Sequence, residues 1–255
     1  MAHKTLINGT SYEISGGKTL VNGTAYSIDK GKTLVNGTAY EVGFGTPISS
    51  LDVGKSLYFK VNGVRTEFVI VHQGKPSSMY DASCNGAWLM MKNCYMSTNF
   101  YDQNINNYTL GAPYYYLRDT FPGLLESDVR NSLKTVKIPY VNGNGSNGSV
   151  KSGANGLSVT CFLLSAYEVG FTKTNNSALP IDGAKLDYFE TGTNRIAHLN
   201  GSAVHWWLRS PAMGHSDMMF IGTETGSLDV LFCKLSAALR PAFILPSNFD
   251  VTNYL

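Results

Sequence analysis

The sequence predicts an α+β protein dominated by short strands: two short helices and a set of β-hairpins, preceded by a run of repeated hairpins. Three observations predict it. Asn-Gly pairs stand between alternating segments at residues 8–9, 22–23, 36–37 and 62–63; such a pair supplies the positive φ that both central residues of a type I′ hairpin turn require. Charged residues make up 15% of the 255-residue chain, below the usual quarter or so, while glycine counts 26 and hydrophobic residues reach 43%, a turn-rich composition able to fill a sizeable core. Helical spacing shows in only two segments, both between residues 113 and 133.

The chain opens on a repeat of period 14: "KTLINGTSYEISGG" (4–17), "KTLVNGTAYSIDKG" (18–31) and "KTLVNGTAYEVGFG" (32–45). Each predicts a hairpin in which Tyr12, Tyr26 and Tyr40 share a strand face with Thr10, Thr24 and Thr38. Ile14, Ile28 and Val42 continue that face by the two-residue period. The NGT triplets also match the N-glycosylation pattern, but turn geometry accounts for Asn and Gly, and "MAHKTLINGT" lacks the apolar run of a signal peptide, so no secretory signal is expected. A 14-residue hairpin cannot bury both faces alone. Residues 1–45 are therefore expected to form a stem that docks or trimerises, with a flexible ladder of hairpins as the alternative.

Residues 46–54, within "GTPISSLDVG", have the composition of a linker, and residues 55–255 are expected to form the main domain. In it, "KSLYFKVNGVRTEFVIVHQGKP" (55–76) predicts a longer hairpin turning at Asn62-Gly63. "GAWLMMKNCY" (86–95) predicts a buried strand. A first helix starts at Pro113 with Tyr114, Leu117 and Phe121 on one face; a second, in "LLESDVRNSL", aligns Leu125, Val129 and Leu133. "VNGNGSNGSVKSGANG" (141–156) reads as a mobile surface loop, and strands and turns follow from about residue 185.

Net charge is +2 with no basic stripe, which speaks against nucleic-acid binding. Apolar runs such as "CFLL" and "FVIVH" are too short to span a bilayer, so no membrane insertion is expected. Cys84, Cys94, Cys161 and Cys233 lack metal spacing and read as buried free thiols, with a Cys84–Cys94 bridge as the alternative. No Ser/His/Asp order or paired carboxylate has a supporting motif, and His72, His198, His205 and His215 read as surface or core residues rather than ligands. An enzyme is not expected, nor any cofactor or metal.

Two motifs near the C-terminus frame what remains. In "HWWLRSP" (205–211) a strand sets Trp206 and Trp207 on opposite faces, each indole N–H able to reach a partner. Arg209, and Arg240 in "LRPAF" (239–243), are either carbonyl-binding clamps or two halves of an anion site. Between them, "AMGHSDMMFIGTETGSLDVLFCKLSAA" (212–238) mixes apolar, aromatic and charged groups. It is either a core hairpin or an exposed contact surface.

From about residue 52 to 246, "VGKSLYFKVNGVRTEFVIVHQGKPS", "YDASCNGAWLM", "VKIPY", "CFLLSAYEVG", "WWLRSP" and "LRPAF" occur in an order that resembles a C-type-lectin-fold family of bacteriophages and gut bacteria. That family includes the variable proteins diversified by retroelements. The resemblance implies a C-type-lectin-like domain acting as a phage receptor-binding or adhesion protein. Its variable ligand-binding residues would be Met213, His215, Asp217, Met218, Phe220, Thr223, Glu224, Asp229, Leu231, Phe232 and Lys234. It further implies a host-cell surface receptor, protein or glycan, phage tail proteins contacted through the repeats, a homotrimer, and a place in the virion tail rather than export by a signal peptide. A structural tail-fibre or baseplate component is the alternative. The Glu-Pro-Asn and Trp-Asn-Asp triplets of calcium-dependent sugar binders are absent, and the C-terminal cysteine pair of the related formylglycine-generating enzymes is reduced to Cys233.

Overall fold

The computed structural model describes residues 3–7, 10–14, 18–21, 24–27, 30–35, 38–43, 45–143 and 149–255. The chain divides into two compact units, Met1–Thr46 and Pro47–Leu255. In the first, β1 (His3–Ile7) pairs with β2 (Thr10–Ile14), β3 (Lys18–Val21) with β4 (Thr24–Ser27), and β5 (Lys30–Val35) with β6 (Thr38–Gly43), all antiparallel. Ile7 lies opposite Thr10, Val21 opposite Thr24 and Val35 opposite Thr38, so two residues connect each pair. The three Asn-Gly turns expected there, and Ile28, lie outside the described residues.

The second unit holds two five-stranded sheets. The first runs β13 (Cys161–Phe162), β20 (Ala242–Leu245), β9 (Ala87–Met91), β8 (Val64–Gln73) and β7 (Ser56–Val61). The second runs β10 (Met96–Asn99), β19 (Ser236–Leu239), β16 (Trp206–Pro211), β17 (Met218–Gly222) and β18 (Leu228–Phe232). Two-stranded ribbons add β11 (Val136–Ile138) with β12 (Leu157–Val159), and β14 (His198–Leu199) with β15 (Ser202–Ala203). The architecture is thus mixed α+β, mostly sheet. The β7–β8 turn has Asn62 at φ 49 and Gly63 at φ 78, the geometry for which Asn-Gly is suited.

The central strands of both five-stranded sheets are covered on both faces, which explains runs such as "FVIV", "AWLMM" and "AFIL" with no polar alternation. Phe68, Ile70, Leu89 and Phe243 enter one core, closed by Leu117, Phe121 and Val129 of the helical segment. Val69, Val71, Trp88, Met90 and Ile244 enter a second core beneath Phe162, Leu164 and Leu179. The helical segment is α1 (Ala112–Tyr115), a wider π turn (Tyr116–Thr120), α2 (Phe121–Leu124) and α3 (Ser127–Ser132). Pro122 lacks an N–H and crowds the carbonyl four residues back, so the turn before it opens. The second helix starts later than its spacing predicts. Leu125 is extended and bridges Val61, and Glu126 accepts from the Lys60 amide at 2.7 Å.

Two further expectations need correction. The segment read as a linker is packed from Pro47 onward: Ile48 is fully buried and its amide donates to the Phe249 carbonyl at 2.8 Å. The Gln73 side chain also donates to the Ile48 and Leu51 carbonyls. Hydrophobic burial of one isoleucine decided what a Gly/Pro/Ser composition did not. The alternative Cys84–Cys94 bridge is absent, and all four cysteines are free and buried. Of the loop 141–156, residues 144–148 lie outside the described residues, while its flanks are held by a Tyr140–Lys151 bridge and a buried Val141. No helix among the described residues is long and apolar enough to cross a membrane.

Candidate contact surface

The frame is built first. Trp206 and Trp207 project to opposite sides of β16, one into each core. Their indole N–H groups donate to the Arg195 and Thr98 carbonyls, each at 2.9 Å. Gly222 stands opposite Trp206, and a Cβ there would lie 2.5 Å from the indole nitrogen, so the ring occupies the space that the missing side chain leaves.

Arg209 is fully buried. It forms a two-pronged ion pair with Glu168 at 2.5 and 2.6 Å and donates to the Pro139, Leu163 and Asp182 carbonyls. Burial works against its charge, but Glu168 overcomes this and the guanidinium is held well above its ordinary pKa. Tyr80 donates to the same carboxylate at 2.8 Å, and Ser210 donates to Asp182 at 2.7 Å. Arg240 is buried over the Trp206 ring and donates to the Met91, Lys92 and Asn194 carbonyls. Burial lowers its pKa to about 10. Both arginines therefore satisfy main-chain carbonyls, and neither has an open coordination side for an anion.

Between these clamps, β17 and β18 form a hairpin closed by residues 223–227 and preceded by a loop at 212–217. Asn106, itself buried, fixes that loop: its side-chain amide donates to the Ala212, His215 and Met218 carbonyls, and its own N–H to Ser216. Asn104 donates to Asp217 at 3.3 Å, and the Cys233 amide donates to the Asp217 carbonyl. Neither asparagine carries a periodic signal in the sequence, so their role was not legible there.

The structure divides the eleven expected contact residues. His215, Phe232 and Lys234 are exposed and Met213, Asp217 and Met218 half-buried at one end of the hairpin. Met218 lies opposite Phe232, which is 45% exposed, and Leu235, beside it in the next turn, is 51% exposed. Leu235 was not singled out from sequence. Glu224 sits at the far end, its carboxylate 2.6 Å from His205 Nδ1. Asp229 is exposed and Leu231 half-buried along the edge strand between. Five-residue strands at about 3.4 Å per residue separate the two ends.

Phe220 and Thr223 are corrections. Phe220 is fully buried beside Trp206, Leu208 and Ala238, because β17 lies between two strands and has a core on each face. Thr223 is 8% exposed, and its hydroxyl accepts from the Ser227 amide at 3.0 Å, so it holds the turn instead of facing a partner. Along this face Phe220 is buried and its neighbour Val230 half-buried, and exposure is greatest at Met218–Phe232, where Phe232 faces solvent.

The thiols carry little chemistry. Burial pushes Cys84 up to about 11 and Cys94 and Cys233 to about 12. Among the described residues, no group of three or more His, Cys, Asp or Glu is placed to hold a metal ion.

Frame and hairpin together define a two-sheet α+β domain with a clamped C-terminal hairpin at the edge of its second sheet. The chain belongs to the family described as a domain of unknown function, DUF6273, whose model matches residues 85–247, well over half of its length. Neither a curated protein nor a solved structure matches it.

Proposed function

We propose that this is a phage-encoded receptor-binding or adhesion protein that displays its contact surface on a C-type-lectin-like scaffold. The N-terminal hairpin repeats attach it to tail proteins and gather it into a trimer. The surface centres on His215, Asp217, Met218, Phe232, Lys234 and Leu235, with Met213, Glu224, Asp229 and Leu231 around it. The observation that carries the reading is the exposed pair Phe232 and Leu235 beside half-buried Met218, next to a loop fixed by Asn106 and Asn104. Apolar and aromatic groups on a pre-ordered backbone lose little entropy on contact, and charged neighbours set orientation.

The test is the double substitution Phe232→Asp and Leu235→Asp in the full chain. Melting temperature and oligomeric state should match wild type, while binding of the labelled protein to a panel of gut bacteria is lost. Unchanged cell binding overturns the adhesion reading, and failure of the variant to assemble with tail proteins points to a structural tail component. A template copy of the 205–240 coding region beside a reverse-transcriptase gene is the expected mark of diversification.

A further inference from the structure

A second site lies away from the hairpin, where β9 leaves the first sheet. β8 continues past the end of β9 by several residues, so its first residues have a strand neighbour on one side only. Hydrogen-bond alternation fixes which groups face the open side. The Ile70 amide donates to Lys55, on the β7 side, while the Glu67 carbonyl accepts from the Lys92 amide, on the β9 side. Alternation along an antiparallel strand then turns the N–H and C=O of Arg65, and the N–H of Glu67, toward the open side. No protein group among the described residues meets them.

These groups form one wall of a cleft of about 350 Å³, whose other walls include Asn62, Met91, Asn93 and Tyr95. On the opposite edge of the same hairpin, Lys60, Val61 and Asn62 are already paired with residues 124–126. The open edge of β18 differs again, since the Asp229 carboxylate accepts from the Val230 amide at 2.8 Å and closes off an outward donor. The β8 edge has no such guard.

We propose that this cleft binds an extended peptide segment, which adds as a short strand beside Val64–Glu67. An alternating donor and acceptor matches a polypeptide backbone, and the half-buried Tyr95 at the cleft wall packs against one side chain. The site is independent of the hairpin surface.

Random heptapeptides panned on the full chain supply the probe, and a selected peptide is then synthesised with blocked ends. Amide hydrogen exchange on the complex should slow at Arg65 and Glu67. Arg65→Pro removes the outward N–H without touching the β7 ladder, because that N–H points away from β7; Arg65→Ala keeps it. Peptide affinity should fall about tenfold or more in the proline variant and change little in the alanine variant. The proposal is overturned if panning selects nothing, if protection falls on other amides such as those of residues 212–238, or if the proline variant binds as wild type does. Self-association of the wild type that the proline variant loses would also overturn it, assigning the edge to a second copy. The exchange measurement on wild type stands even should the proline variant not fold.

Discussion

Replacing Asp182 by Asn should stabilise the protein at neutral pH and leave it almost unchanged in acid. Asp182 is fully buried; one carboxylate oxygen accepts from Ser210 and the other has no hydrogen-bond partner. Burial raises its pKa from 3.8 to about 6, against the pull of Arg209 and Ser210, with Glu168 adding to the rise. A raised carboxyl pKa means the folded state holds a proton that the unfolded state releases between about pH 4 and 6. Stability therefore falls as pH rises through that window and stays lower above it. A shift of about two units corresponds to roughly 3 kcal/mol. Asparagine keeps an acceptor for Ser210 and places a neutral group where the unpartnered oxygen stood, so it imitates the protonated acid. Urea denaturation of both proteins from pH 4 to 7.5 measures the difference, and subtraction cancels the other carboxylates. The difference should grow by up to roughly 3 kcal/mol across the window. A difference that is flat, or that shrinks as pH rises, refutes the assignment of a strained buried charge to Asp182.

Glu168→Gln removes the counter-charge of a fully buried arginine and should cost about 3–5 kcal/mol in urea denaturation, where a cost below about 1 kcal/mol would mean Arg209 is compensated elsewhere. Gly222→Ala sets a methyl group 2.5 Å from the Trp206 indole nitrogen and should cost about 2 kcal/mol or more, read as a lowered melting temperature. A melting temperature equal to wild type would show that β16 and β17 can separate freely. Asp229→Ala frees the outward Val230 amide, and sedimentation velocity should show a concentration-dependent species larger than the wild type, whose absence would show that Asp229 does not guard the edge.

The β7–β8 hairpin was legible because its signal is local: Asn62 and Gly63 need only their own backbone to declare a turn. The opposite faces of Trp206 and Trp207 followed from the two-residue period, whereas guanidinium shape allowed the arginines two readings, carbonyl clamp or anion site, and only the tertiary contacts chose the clamp. Phe220 was misread for the opposite reason. Its exposure depends on β18 covering one flank of β17 and β16 the other, a pairing across the chain that no local pattern encodes. Ile48 fails in the same way, since its burial comes from residues 247–249 at the far end of the domain. The Asn106 amide, reaching carbonyls more than a hundred residues away, is the extreme case.

These long-range contacts also explain how one segment serves both frame and surface. Between Arg209 and Arg240, burial alternates in blocks instead of residue by residue. Met219, Phe220, Ile221 and Cys233 face cores, Thr223 holds a turn, and His215, Glu224, Asp229, Phe232, Lys234 and Leu235 face outward. The outward groups bond little to the frame, their ion pairs and main-chain contacts being exposed and worth at most about 1 kcal/mol. The inward groups each fill space between two sheets, where a change of one methylene is felt. Substitution cost is therefore steep on one side of this hairpin and shallow on the other. The contact surface proposed above would draw on that asymmetry, since its chemistry could change while the buried Trp206, Arg209 and Arg240 hold both ends of the segment.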